Sequence, residues 1–192
     1  MSSWIKMVSD EDADENLAAA LDLARTPHGT VDNVMRVHSL RPETMRGHME
    51  LYRSILHNDA TKVPKWFLET VGSYVSLLNS CEYSYSNHWK NAQTLIGDGD
   101  LSLRIEESFK SGDFSAVFSE RQAAMLEYAG KLTLEPGNMQ RRDVTRLQKL
   151  GWEDVEILEV NQVACYFSYA NRLLNGLGVS TQGDTIGYYA DA

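Results

Sequence analysis

The sequence predicts an all-α fold, a helical bundle with a weak internal helix-pair repeat. Three observations predict it. Apolar residues recur at the helical period along most of the chain. Alternating strand patterns are nearly absent. Gly, Pro, Asn and Asp clusters cut the chain into helix-length pieces. The 192 residues are enough for one well-cored domain. Helix pairs near 64–96 and 120–174 suggest halves of about 30–100 and 101–180.

The first helix is expected over about 10–25, acidic at its start and then rich in Ala and Leu, with Thr26-Pro27-His28-Gly29 ending it. A short helix follows at 31–38. Arg41-Pro42-Glu43 opens another to about His57, since proline suits a first turn. Pro64 starts a helix to about Leu78. Asn79 then reads as an N-cap with Glu82 returning the bond, for a helix from Ser80 to about Ile96. A short helix covers 101–109. Ser119-Glu120-Arg121-Gln122 begins one to about Leu132, and another covers 140–150. Trp152-Glu153-Asp154 leads into a long helix to about Leu174, closed by Gly176. The tail from Thr181 to Ala192 is expected to be extended or packed on a partner.

Composition excludes several classes. Apolar residues are 43 % and charged residues 23 %, as in ordinary globular proteins. The net charge of −9 repels phosphates, so no nucleic acid is expected as a partner. No run approaches bilayer length and Met1-Ser2-Ser3-Trp4-Ile5-Lys6 lacks a signal-like apolar core, so a cytoplasmic location without membrane is expected. Both cysteines are then thiols. Cys165, within Val163-Ala164-Cys165-Tyr166-Phe167, reads as a buried small hydrophobe. His28, His38, His48 and His57 have no metal-ligand spacing and read as surface or capping residues. Neither a metal nor another cofactor is expected. The aromatics Tyr83, Tyr85, Trp89, Tyr166, Phe167 and Tyr169 read as core or subunit interface.

The chemistry concentrates in Cys81-Glu82-Tyr83-Ser84-Tyr85-Ser86-Asn87-His88, with Glu69 twelve residues upstream of Cys81. Offsets of 0, 3 and 7 put Cys81, Ser84 and His88 on one helix face. A cysteine in a first turn meets backbone N–H groups that favour the thiolate, the nucleophilic form. His88 is one turn from Ser84 and two from Cys81. The longer span, about 10 Å of helix rise, needs the Ser84 hydroxyl or a water as a bridge. Glu69 taken alone is a solvated helix carboxylate; beside His88 it would orient the imidazole.

This Glu69, Cys81, Ser84, His88 pattern resembles the carboxymuconolactone decarboxylase superfamily, and more closely its alkylhydroperoxidase D-like, peroxidase-related branch. Leu78-Asn79-Ser80-Cys81-Glu82-Tyr83, the helix from Phe118 to Thr133, and the stretches Gly151–Val160 and Asn171–Val179 carry the resemblance further, over roughly residues 30 to 180. The resemblance implies an all-helical fold with an internal repeat. It also implies a homo-oligomer, from dimer to hexamer. Active members of this branch reduce hydroperoxides with Glu, two Cys and His, one thiolate attacking and the other resolving the sulfenic acid as a disulfide. By position Glu69, Cys81 and His88 carry over, while Ser84 stands where the second cysteine would be.

Serine forms no disulfide. The expectation is therefore a thiol peroxidase reading in which Cys81 reacts with a hydroperoxide or other small molecule and an external thiol reductant resolves it. Two alternatives stand beside it. One is a cofactor-free, decarboxylase- or lyase-type acid–base enzyme using His88 and Glu69, with Arg53 or Arg172 to hold an anionic substrate. The other is a non-catalytic binding or assembly module.

Overall fold

A computed structural model describes residues 2–189, and all structural statements refer to these. Nine α-helices and one short 3₁₀ turn make up their regular structure, and no strand occurs among them. The helices are α1 (Glu15–Leu23), α2 (Asn33–Arg36), α3 (Pro42–Leu56), α4 (Lys65–Leu78), α5 (Glu82–Ile96), α6 (Gly99–Ser111), α7 (Glu120–Leu134), α8 (Arg141–Lys149) and α9 (Asp154–Leu177). None is long and apolar enough to cross a membrane.

Helix α4 is the centre. Every residue from Phe67 to Ser76 is buried, because its polar positions are small or internally bonded. Ser73 and Ser76 return their hydroxyl protons to the carbonyls of Glu69 and Gly72. A helix buried on all sides must pack on several partners. Here they are α5, α7 and α9. Gly72 sets the spacing to α9: a Cβ there would lie 2.3 Å from a ring carbon of Phe167.

Most expected boundaries hold within a few residues, and the differences have local causes. Asp14, not a residue near 10, caps α1 by accepting from the Leu17 N–H at 2.8 Å. Helix α9 runs through Gly176 and ends at Gly178, whose φ of 60° supplies the left-handed cap. Asn79 is not the N-cap of α5. It is the C-cap of α4, and a Schellman turn follows. Ser80 takes φ 52°, its N–H reaches Leu77 O at 3.0 Å, and the Cys81 N–H reaches Ser76 O at 2.9 Å. Cys81 therefore closes α4 and is itself the N-cap of α5. Asn175 of α9 clamps the turn by donating to the Asn79 carbonyl at 3.0 Å.

Over its described part the tail is held by the chain itself. Residues 184–188 fold back on the chain's own helices. The Asp184 carboxylate accepts from the Tyr83 hydroxyl and from the Asn33 N–H. Asn87 and Asn91 accept from the N–H groups of Gly187 at 3.2 Å and Tyr188 at 2.6 Å.

Candidate active site

Helices α4 and α5 form an antiparallel hairpin, and this brings Glu69 opposite His88. Glu69 is 1 % exposed, so it is not a solvated carboxylate. A buried carboxylate is costly unless its oxygens are satisfied. One oxygen accepts from His88 Nδ1 at 2.7 Å and the other from Asn91 Nδ2 at 3.3 Å. With Nδ1 committed to Glu69, Nε2 is the ring nitrogen left for other work. The edge-to-face ring of Phe167, 4.5 Å away between centroids, fixes the imidazole plane.

His88 and Ser84 both line a cavity of about 240 Å³. Its other walls come from α3 and its C-cap (Tyr52, Arg53, His57), from α9 (Tyr166, Phe167), from the stretch 24–35 ahead of and into α2, and from the tail (Thr185, Gly187, Tyr188). The tail residues are a wall that sequence reasoning missed, because the segment is irregular and carries no period. Asn91, three residues beyond His88, was missed too, although that spacing puts it on the same helix face.

Cys81 does not line the cavity. It is 1 % exposed and packs with Val37, Tyr83, Leu174 and Val179. Its sulfur donates to Ser84 Oγ at 3.6 Å, so the serine hydroxyl stands between sulfur and cavity. No hydrogen bond joins Ser84 to His88 among the described residues, so the expected bridge from imidazole to sulfur is only half built. The expected electron-rich thiolate is corrected as well. Burial pushes the Cys81 thiol upward, outweighing the Ser84 and Tyr83 N–H groups and the Ser84 hydroxyl, which pull it down.

Other expectations are also corrected. Cys165 is exposed, because the buried stripe of α9 passes through Val160, Val163, Ala164, Phe167 and Ala170, and position 165 falls off it. His38 and His48 are not surface residues but 7 % and 3 % exposed. Tyr166 is buried yet reaches the cavity, and burial raises its hydroxyl pKa strongly. Tyr169, read as core or subunit interface, is 45 % exposed and so is not core. Of the two candidate cations, Arg53 lines the cavity, with one nitrogen on Leu23 O at 2.7 Å and no ion-pair partner among the described residues. Arg172 is exposed, turned back on Ser168 O, and absent from the lining. No group of three or more His, Cys, Asp or Glu among the described residues could hold a metal ion.

No protein-family model matches the sequence. No curated protein matches it. Solved structures do match. A peroxidase-related protein from Silicibacter sp. TM1040 superposes with a TM-score of 0.81 at 19 % identity, covering 98 % of this chain and 95 % of the other. A peroxidase-related protein with an alkylhydroperoxidase AhpD core, from Ralstonia eutropha JMP134, gives 0.80 at 18 % identity, covering 96 % and 94 %. The debrominase Bmp8, as a cysteine-to-alanine variant in complex with 2,3,4-tribromopyrrole, gives 0.75 at 15 % identity, covering 95 % and 94 %. The chain has the alkylhydroperoxidase D-like fold that its sequence resemblance implied.

Proposed function

We propose that this chain is a cofactor-independent acid–base enzyme acting on a small organic anion, with His88 as the proton-transfer group. One observation carries the reading: the cavity presents Ser84 and His88 on one face of α5 and keeps the Cys81 sulfur behind the serine. The Glu69 carboxylate holds the Nδ1 proton and steadies the imidazolium formed when Nε2 takes a proton from the substrate. Ser84 supplies a hydroxyl beside it. Arg53 supplies an unpaired cation at the wall, suited to a substrate carboxylate. A 240 Å³ space suits a small molecule rather than a polymer. The matching chemistry is proton abstraction next to a carbonyl or carboxylate, leading to isomerisation or decarboxylation.

A panel of carboxylated lactones and β-keto acids in D2O, followed by NMR, tests this. Turnover or deuterium incorporation lost in His88→Ala and kept in Cys81→Ala supports it. Turnover lost in Cys81→Ala and kept in His88→Ala sinks it.

A second reading has its own support. The sulfur is one hydroxyl away from the cavity, at a helix start, in a fold shared with peroxidase-related proteins. If Ser84 swings aside, Sγ attacks the terminal oxygen of a hydroperoxide. That step gives Cys81 sulfenic acid and the alcohol; one external thiol then forms a mixed disulfide with loss of water, and a second releases the Cys81 thiol as the external disulfide leaves. Dimedone labelling of Cys81 after mild peroxide supports this reading, as does a gain in peroxide turnover in Ser84→Cys. Absence of both refutes it.

A further inference from the structure

A buried hydrogen-bond chain leads from the cavity wall to the surface, and no step above uses it. Tyr166 Oη lies 2.9 Å from His48 Nε2. His48 Nδ1 lies 2.9 Å from His38 Nε2. His38 Nδ1 lies 2.9 Å from Thr44 Oγ1, and Thr44 lies 2.8 Å from the Arg41 carbonyl. Thr44 is exposed while both histidines are buried, so the chain has one wet end and one cavity end.

The last link sets the direction of every other. A carbonyl only accepts, so the Thr44 hydroxyl donates to Arg41 O. Its oxygen must then accept from His38 Nδ1–H. His38 Nε2 is left bare and accepts from His48 Nδ1–H. His48 Nε2 is left bare and accepts from the Tyr166 hydroxyl. Reversing the set would face the Thr44 and Arg41 oxygens at 2.8 Å with no proton between them. Both imidazoles are neutral in this arrangement, in keeping with their burial, which lowers the pKa of His38 and that of His48 to about 3.

We propose that Tyr166 is a second proton-accepting group of the cavity, and that His48 and His38 are its relay to water at Thr44. Because its own proton points at His48, the Tyr166 oxygen offers the cavity a lone pair. The ligand it suits carries an O–H or N–H at that end. When such a group loses its proton to Tyr166, the Tyr166 proton passes to His48 Nε2. The His48 Nδ1 proton moves to His38 Nε2, and the His38 Nδ1 proton moves to Thr44. The Thr44 proton leaves Arg41 O for a surface water, so the relay ends in the less stable reversed set, which returns to rest when a proton comes back along it. The ligand keeps the electron pair, nothing is oxidised, and one proton has crossed from cavity to solvent. The proposal rests on the cavity being a proton-transfer site, yet its test needs no substrate and reads neither turnover nor the state of His88.

Nitrogen-15 NMR of histidine-labelled full-length protein decides it. The expected result is His38 and His48 both protonated at Nδ1 and bare at Nε2. A His88→Ala control should leave this pattern unchanged even if the acid–base reading fails. A proton on Nε2 of either ring overturns the polarity. His38→Gln keeps a polar side chain in place but cannot relay. Exchange of the His48 Nδ1 proton with water should slow by about tenfold or more in that variant. Mere loosening of the structure would speed it, so unchanged or faster exchange overturns the relay.

Discussion

Gly72→Ala is a demanding test of how the site is held. In an ordinary helix interior this change stabilises by about 1 kcal/mol. Here the new Cβ would sit 2.3, 2.6 and 2.9 Å from three ring carbons of Phe167. That ring cannot move freely: it is 0 % exposed and packs against the rings of His88 and Tyr166. Overpacking of this kind costs about 3 kcal/mol, at the upper end of the usual range. The net loss is then about 2 kcal/mol after the helix gain. For a chain of this size it corresponds to a melting point lower by roughly 4–8 °C. The assay is a double-mutant cycle with Phe167→Leu, read by urea and thermal unfolding. The smaller side chain removes the aromatic carbons that the Cβ meets, so the pair should cost less than the sum of its parts by about 1 kcal/mol or more. Additive costs, or a Gly72→Ala protein as stable as the parent, would refute the idea that the α4–α9 approach fixes the ring behind His88.

Other outcomes follow from the same geometry. Ser80 holds φ 52° in the turn before Cys81, so Ser80→Gly should raise stability by about 0.5–1 kcal/mol in urea unfolding; a loss would contradict the strain. Cys165 is exposed and Cys81 buried, so a disulfide reagent should titrate one thiol quickly and the second only on unfolding; two equal fast phases would count against the buried sulfur. Asp32 has a carboxylate oxygen buried without a partner, and burial with the nearby Asp184 raises its pKa from 3.8 to about 6. A carboxyl with a raised folded pKa binds its proton more tightly when folded, so stability falls as pH rises from about 4 to 6. Asp32→Asn should therefore stabilise at pH 7 by about 1 kcal/mol, discounted for partial exposure, and lose that advantage near pH 4; an advantage independent of pH would exclude this cause. Asn87→Ala removes the acceptor of the Gly187 N–H and should speed hydrogen exchange at that amide; unchanged exchange would show that the tail is held by other contacts.

The helices were legible because their punctuation is chemical. Pro42 and Pro64 mark starts, and Ser119 with Gln122 forms a complete capping box at α7. Helix α9 shows both success and failure of the same signal. Its period places Val160, Val163, Ala164, Phe167 and Ala170 inside, and the same period places Cys165 outside, although an apolar neighbourhood suggested burial. The turn at Ser80 was hidden because serine gives no sign of a left-handed conformation, where glycine would have announced a Schellman cap. That turn decides the role of Cys81, since it makes the cysteine a hydrophobic closing residue instead of a first-turn thiolate. The neighbours that bury it, Val37, Leu174 and Val179, are remote in sequence. The pairing of Glu69 with His88 follows from their residue types and again from the resemblance, and the α4–α5 hairpin supplies its geometry. The chain from Tyr166 to Thr44 had no pattern to read, because His38 precedes α3 and His48 lies within it, ten residues apart.

The tail's place on the cavity has a consequence for folding. Thr185, Gly187 and Tyr188 complete a chamber whose other walls come from residues 24 to 170. The core of α4, α5, α7 and α9 can pack together before that chamber is closed. A folding molecule would thus have a core before it has a compartment, and premature encounters with its ligand would meet an open, wet groove.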